Sequence, residues 1–381
     1  MRPLPLIIIL TVLNHVAFNG SRVAVSLFAI NQDATPLTVG ALVALYAFLP
    51  ALLSVKAGRW IDHIGVNTPL LIGSIGVLIG TIIPVIFPAL GALYATSIFA
   101  GVSFMLINVS AYHAVGEMSA AAERPVNFSY LALGFSTSSF IAPMLTGVVI
   151  DQLGYRAAFL ILSLFTVLPI IALSARLLPA NQRHHPQEIV AKGDVLDLLD
   201  NADLRRLFVA MAILTVAWDI YGFAIPIHGT RIGLSASQIG MVMGSFAAAT
   251  FAVRLAMPFI ANRVKPWSLL AASLLIAGMS FVAIPFATSV EVLMAMMFLL
   301  GIGLGAPQPM VLTLLHQAAP AGRAGEALGL RTTLINTSQT VMPLVFGVVS
   351  TTLGMSPLFW GMSAILFGGG LFARQVRHRR R

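Results

Sequence analysis

Apolar residues run through this chain in stretches of spanning length, separated by short polar or glycine- and proline-containing connections. The first six runs fall near 4–30, 36–57, 69–88, 90–115, 127–150 and 156–177. The second six fall near 205–228, 235–260, 267–287, 290–315, 327–350 and 356–374. A bilayer core about 30 Å thick takes about 20 apolar residues as helix. The ~10-residue alternating segments of a transmembrane barrel are missing. The pattern predicts an all-α membrane protein with twelve transmembrane helices, neighbours antiparallel because most connections are short. The N-terminal run follows Met1-Arg2-Pro3 without a small-residue cleavage site after a short core, and reads as a retained first span.

The pattern repeats. Shifted by 200 residues, Pro143-x3-Gly147-Val148-Val149-x3-Leu153-Gly154-x4-Phe159 returns as Pro343-x3-Gly347-Val348-Val349-x3-Leu353-Gly354-x4-Phe359, and Gly40 and Gly101 fall on Gly240 and Gly301. The duplication predicts two pseudo-symmetric six-helix bundles with a site between them. Residues 1–178 form the first, 179–204 a cytoplasmic linker, and 205–381 the second with a basic cytoplasmic tail.

Composition sharpens the lipid assignment. Only 9% of the 381 residues are charged and 58% are hydrophobic, against about 25% charged in a soluble domain. The chain has no cysteine, which excludes disulfides and thiolate metal sites. The net charge of +9 is unevenly placed. Lys56, Arg59, Arg124, Arg176, Arg205, Arg206, Arg263, Lys265, Arg323 and the Arg374–Arg381 tail share one set of span ends. The opposite ends carry only Arg156 and Arg231, beside Asp33, Asp151 and Glu291. The positive-inside rule puts the basic ends, both termini and the linker in the cytoplasm, as in a bacterial-type inner membrane. The basic tail then reads as a topology signal in contact with anionic lipid, not as a nucleic-acid site. His184-His185 lacks a third ligand at metal spacing, so no metal is expected. The apolar pairs Val195-Leu196 and Leu198-Leu199 suggest a short helix on the membrane surface. No Gly-x4-Gly-Lys-Ser/Thr, His-Glu-x-x-His or Gly-x-Ser-x-Gly occurs, so neither ATP drive nor an enzyme is predicted.

Where the second run reaches the basic side stands Gly58-Arg59-Trp60-Ile61-Asp62-His63-Ile64-Gly65. Gly58 would let another backbone come close and Gly65 would permit a tight turn. Asp62 would accept from free N–H groups at a helix start and pair with an arginine, a latch that can release. Gly-x-x-x-Asp-x-x-Gly after the second of twelve spans resembles the signature loop of the major facilitator superfamily, and the resemblance extends over the whole chain. It implies a cytoplasmic gate of Gly58, Arg59, Asp62 and Gly65, with Asp62 meeting Arg331 or Arg323 near the start of the eleventh span. Val66-Asn67-Thr68 stands where the family usually has basic residues. The fourth span also lacks the arginine common in the proton-coupled drug exporters. Gly134-x8-Pro143-x3-Gly147 resembles, loosely, the glycine–proline pattern of exporter branches; helix packing alone accounts for it equally well.

Ionisable groups within spans are expensive and therefore point to function. Thr11, His15, Asn19 and Arg22 form one stripe of the first span; Thr215, Trp218, Asp219 and Gly222 form the equivalent stripe of the seventh. Counted from the basic ends, Asp219 lies roughly 20 Å deep and Arg22 roughly 25 Å. Asp219 reads as a proton site, as half of a gate, or as a permanent partner of Arg22. Asn108 and Tyr112 on the fourth span, Gln308 between Pro307 and Pro309, and Asn336, Gln339 and Thr340 on the eleventh complete the candidate substrate and proton cavity. Helix 10 must be irregular at those prolines. His15 ranks above His113, which lies near the basic edge, although such histidines usually serve packing. Arg254 resembles an arginine of the monocarboxylate-transporter branch that meets substrate carboxylate, but that branch's aspartate one turn earlier is Thr250 here. Snorkelling or latch duty competes with anion binding at this position.

These features predict a secondary active transporter working by alternating access, with no cofactor and a proton gradient as energy source. Its partners are a small-molecule substrate and lipid, and it is expected to be a monomer. Few cavity charges and many apolar and methionine positions favour proton-coupled efflux of a small organic compound. Uptake or exchange of a small organic anion is the alternative raised by Arg22 and Arg254. A non-transporting membrane sensor or scaffold is the alternative of another class.

Overall fold

A computed structural model describes residues 3–119, 123–176, 195–260, 264–320 and 324–379. Among the described residues there are twelve α-helices and no strand. They are α1 (Pro3–Asn31), α2 (Pro36–Ile64), α3 (Asn67–Ile86), α4 (Leu90–Met118), α5 (Arg124–Ser174), α6 (Ala202–Arg231), α7 (Ala236–Ile260), α8 (Pro266–Ala283), α9 (Val290–Gly305), α10 (Pro307–Ala318), α11 (Ala324–Thr352) and α12 (Met355–Arg379). Among the described residues nine helices are long and apolar enough to cross a membrane.

Helix boundaries and spans differ in two places. The fifth and sixth spans are continuous in α5, whose 51 residues fold back at Gly154, at φ 84° and ψ 174°. Only glycine takes that backbone conformation without strain, so the helix ladder turns there and the chain recrosses. The tenth span is divided into α9 and α10, because Pro307 has no N–H to continue the ladder. The irregularity predicted around Gln308 thus falls immediately before Pro307. Residues 195–200 form a short helix, of the 3-10 type; Leu198 is buried, and the element packs against α6 and α11.

Helices α1 to α5 pack into one bundle and α6 to α12 into the other. Lipid tails provide no hydrophobic drive between helices, so close approach at small residues carries much of the packing. Gly73 meets the Ser103 carbonyl and Ile107, and Gly303 meets Ser273 and Ala277. The bundles meet along two seams, α2 against α11 and α5 against α7. Both seams are tightest at the ends bearing Asp33, Asp151 and Glu291. A Cβ on Gly40 would lie 2.3 Å from the Pro343 carbonyl oxygen, and one on Gly240 2.4 Å from that of Pro143. A Cβ on Gly147 would lie 2.2 Å from the Ala236 carbonyl oxygen, and one on Gly347 2.8 Å from the Leu37 Cα. The four contacts are pairwise related by the 200-residue offset, so the duplication closes the acid-bearing end twice over.

Candidate functional site

Below that closure lies a cavity of about 320 Å³ between the bundles. His15, Asn19 and Arg22 reach it from α1, Asn108 and Tyr112 from α4, Trp218 and Asp219 from α6, Arg254 from α7 and Gln339 from α11. Helical spacing puts each group on one face, and the seams turn those faces toward each other. Tyr112 is 47% exposed, marking the basic end as the open side. An adjoining cavity of about 140 Å³ is lined by Thr215, Trp218, Asp219, Gln308, Arg331 and Gln339, among others. Asn336 lies outside both linings, although it shares α11 with Gln339.

The partners differ from those the sequence suggests. Asp219 and Arg22 form no ion pair: the Ser338 hydroxyl donates to Asp219 Oδ2 at 2.6 Å, while the Arg22 guanidinium sits 5.9 Å from the centre of the Tyr46 ring. Each side chain is drawn toward the helix beside it in its own bundle, Asp219 toward α11 and Arg22 toward α2. Arg254 does not snorkel. Its Nη1 donates to Ser136 on α5 and its Nη2 to Gln308 Oε1 at 2.9 Å, so it spans the interface between bundles. His15 is held by Ser138 through Nδ1. Phe135 and Phe104 flank it with ring centres at 4.8 and 5.1 Å, the surroundings of a packing histidine.

At the basic end Asp62 does not meet Arg331, one of the two arginines suggested for it. Its Oδ1 lies 3.1 Å from His113 Nε2 on α4. Arg331 is instead turned into the smaller cavity, and Arg323 lies outside the described residues. Among the described residues nothing comes within 4 Å of a Cβ built on Gly58, so none of their backbone uses the space it leaves. Gly65 ends α2 at φ 79° and ψ 178°, its N–H donating to the Ile61 carbonyl at 2.8 Å. Arg59 is exposed. With Asp62 paired inside its own bundle, no ion pair joins the bundles at the basic end among the described residues.

Sequence reasoning missed Tyr46, Ser136, Ser138 and Ser338. The run Ser136-Thr137-Ser138-Ser139 is a polar interruption of an apolar span, and that was the available signal. Ser338 lies in a second such run, Asn336-Thr337-Ser338-Gln339-Thr340, whereas Tyr46 carries no comparable mark. Among the described residues no three His, Cys, Asp or Glu side chains group to hold a metal.

Two pseudo-symmetric bundles, a central polar cavity and closure at one end define the fold class of the helical membrane transporters. The family model of the Major Facilitator Superfamily matches residues 7–333 and 207–381, and the chain belongs to that superfamily. It is 24% identical over 259 residues to the "Multidrug resistance protein MdtG" of Citrobacter koseri, covering 66% of this chain and 63% of that protein. It is 28% identical over 145 residues to the "Probable sulfoacetate transporter SauU" of Cupriavidus necator, covering 38% of this chain and 34% of that protein. The matches therefore span less than two thirds of these relatives' lengths. Among solved structures, the peptide transporter POT in complex with sulfate superposes with a TM-score of 0.79 at 15% identity, over 99% of this chain and 94% of that one. A POT family transporter in complex with 5-aminolevulinic acid gives 0.77 at 14% identity, over 97% and 95%. Likeness at this identity establishes the fold.

Proposed function

We propose that the protein is a secondary transporter that rocks its bundles around the central cavity and exports a small organic compound in exchange for protons. The observation that carries this reading is Asp219. Among the described residues it is the one carboxylate lining the cavity and it has no ion-pair partner, and its Oδ2 is held by a neutral hydroxyl. A carboxylate so placed takes up and releases a proton without first breaking an ion pair. With the basic ends in the cytoplasm, the closed acid-bearing end gives an inward-facing state, and Asp62 released from the second bundle agrees with it. Resemblance to MdtG supports export. The test is solute-driven proton movement in proteoliposomes under an imposed pH gradient, in both orientations. A protein that moves neither solute nor protons across a broad panel of compounds is a sensor or scaffold instead.

A second reading, uptake or exchange of a small organic anion, is favoured by one observation. Arg22 and Arg254 both line the cavity, and neither has a carboxylate partner among the described residues. Cations buried in a span without a counter-ion are costly, and an anionic cargo would offset that cost. Transport of matched charged and neutral solutes separates the two readings.

A further inference from the structure

The cavity wall carries a second chemical signal beside its cations. Phe104, Tyr112, Phe135, Trp218, Tyr221 and Phe246 make up six of its 24 lining residues, whereas Phe, Trp and Tyr are 9% of the chain. These rings form two walls, one from each bundle. On the first, Phe104 and Phe135 meet edge to face at 6.3 Å, and His15 packs against both. On the second, Trp218 and Phe246 meet edge to face at 5.0 Å. Aromatic faces and edges receive another flat ring in offset or edge contacts at such separations.

Arg254 lines the same cavity as the two walls and stands beside the first of them. Its hydrogen bond to Ser136 anchors it beside Phe135, the preceding residue of α5, and it rises from α7 two turns after Phe246. A guanidinium has five N–H donors. Two are used, on Ser136 and Gln308, which leaves three. Both partners are neutral, so the charge is fixed in place and not neutralised. A planar two-oxygen acceptor is the group such a fork holds best.

We propose that the cargo is a small aromatic carboxylate, its ring between the Phe104–Phe135 wall and the Trp218–Phe246 wall and its carboxylate on Arg254. The proposal rests on the second reading above, that the cargo is anionic, and adds the chemistry of its body. Neither wall alone selects it. The cation asks for a carboxylate, and the paired rings ask for a flat apolar body joined directly to it.

The test is calorimetric titration of the purified full-length protein with benzoate, cyclohexanecarboxylate and benzamide, which share size but differ in ring character and charge. Benzoate is expected to bind at least tenfold tighter than either of the others. Phe135→Leu should bring benzoate down to cyclohexanecarboxylate and leave the latter unchanged. Arg254→Gln should abolish carboxylate binding, and Arg254→Lys should retain part of it, with melting curves confirming that each variant is folded. Cyclohexanecarboxylate binding as tightly as benzoate would overturn the aromatic assignment and leave the anion reading standing. Benzamide binding as tightly as benzoate would overturn the anion reading itself. Absence of binding by all three in a folded protein would also overturn the proposal, while solute-driven proton movement would still test the transporter reading separately.

Discussion

Asp151 and Ser237 join the two bundles across the acid-bearing end. The Ser237 backbone N–H donates to Asp151 Oδ2 at 2.8 Å, and the Ala236 N–H donates to Oδ1 at 3.0 Å. These are the first two N–H groups of α7, which have no partner inside the helix, and the carboxylate also meets the positive end of the helix dipole. The contact has no copy in the repeat. Thr351 stands at the offset position, and its hydroxyl turns back to the Gly347 carbonyl of its own helix at 2.7 Å. One seam is therefore closed by packing plus a carboxylate, and the other has no such carboxylate among the described residues.

Asp151→Asn supplies one acceptor oxygen where two are needed. A hydrogen bond to a charged group contributes about 1.5–3 kcal/mol, so the balance between closed and open acid-bearing ends should shift by about tenfold or more toward open. The chain has no cysteine, which allows a clean readout. A cysteine in place of Asn19 should react faster with an impermeant maleimide added from outside. Equal rates in the variant and the parent would show that Asp151 does not hold the closure.

The glycine seams predict opposite responses to one added methyl group. Gly40→Ala and Gly240→Ala place a Cβ against a backbone carbonyl, which cannot rotate aside. Overpacking of this kind costs about 1–3 kcal/mol, and the melting temperature should fall. Gly58→Ala meets nothing within 4 Å. It should leave melting unchanged or raise it slightly, because alanine favours the helix by about 0.5–1 kcal/mol. Thermal melts of the three variants in one detergent compare them directly.

Asp219→Asn keeps the shape of the cavity and removes the exchangeable proton. Accumulation driven by a pH gradient should disappear, while exchange of labelled for unlabelled cargo without a gradient should continue. Ser338→Ala removes the hydroxyl that donates to Asp219 and should alter the pH dependence of transport without abolishing it. Intact gradient-driven accumulation in Asp219→Asn would assign proton coupling to another group.

His113→Leu removes the in-bundle partner of Asp62. Asp62 is then free to meet the second bundle at the basic end, where Arg331 and Arg323 are the cations the sequence suggests. A partly exposed pair of this kind contributes up to about 1 kcal/mol, so the shift toward a closed basic end should reach at most about fivefold. Spin labels at Thr68 and Gly329 should report a larger population at short separation. The reverse shift is expected for Arg331→Gln.

Where the chain crosses, where it turns and which faces are polar were legible in the residues alone. Apolar length set the spans, because backbone groups in lipid must be satisfied within a helix. Glycine at 154 and proline at 307 marked the fold-back and the break, because their backbone limits are local properties. The stripes through His15–Arg22 and Trp218–Asp219 placed residues on the cavity wall, because helical periodicity fixes direction and depth. The tertiary structure decided who meets whom. Asp219 met Ser338, Arg22 faced Tyr46, Arg254 reached Ser136, and Asp62 joined His113. Asn336, on the expected face of α11, stayed outside the cavity lining. Partners are chosen by how helices cross and rotate against one another and by side-chain reach of a few ångströms. Those quantities depend on packing summed over whole bundles, which no local stretch of sequence contains.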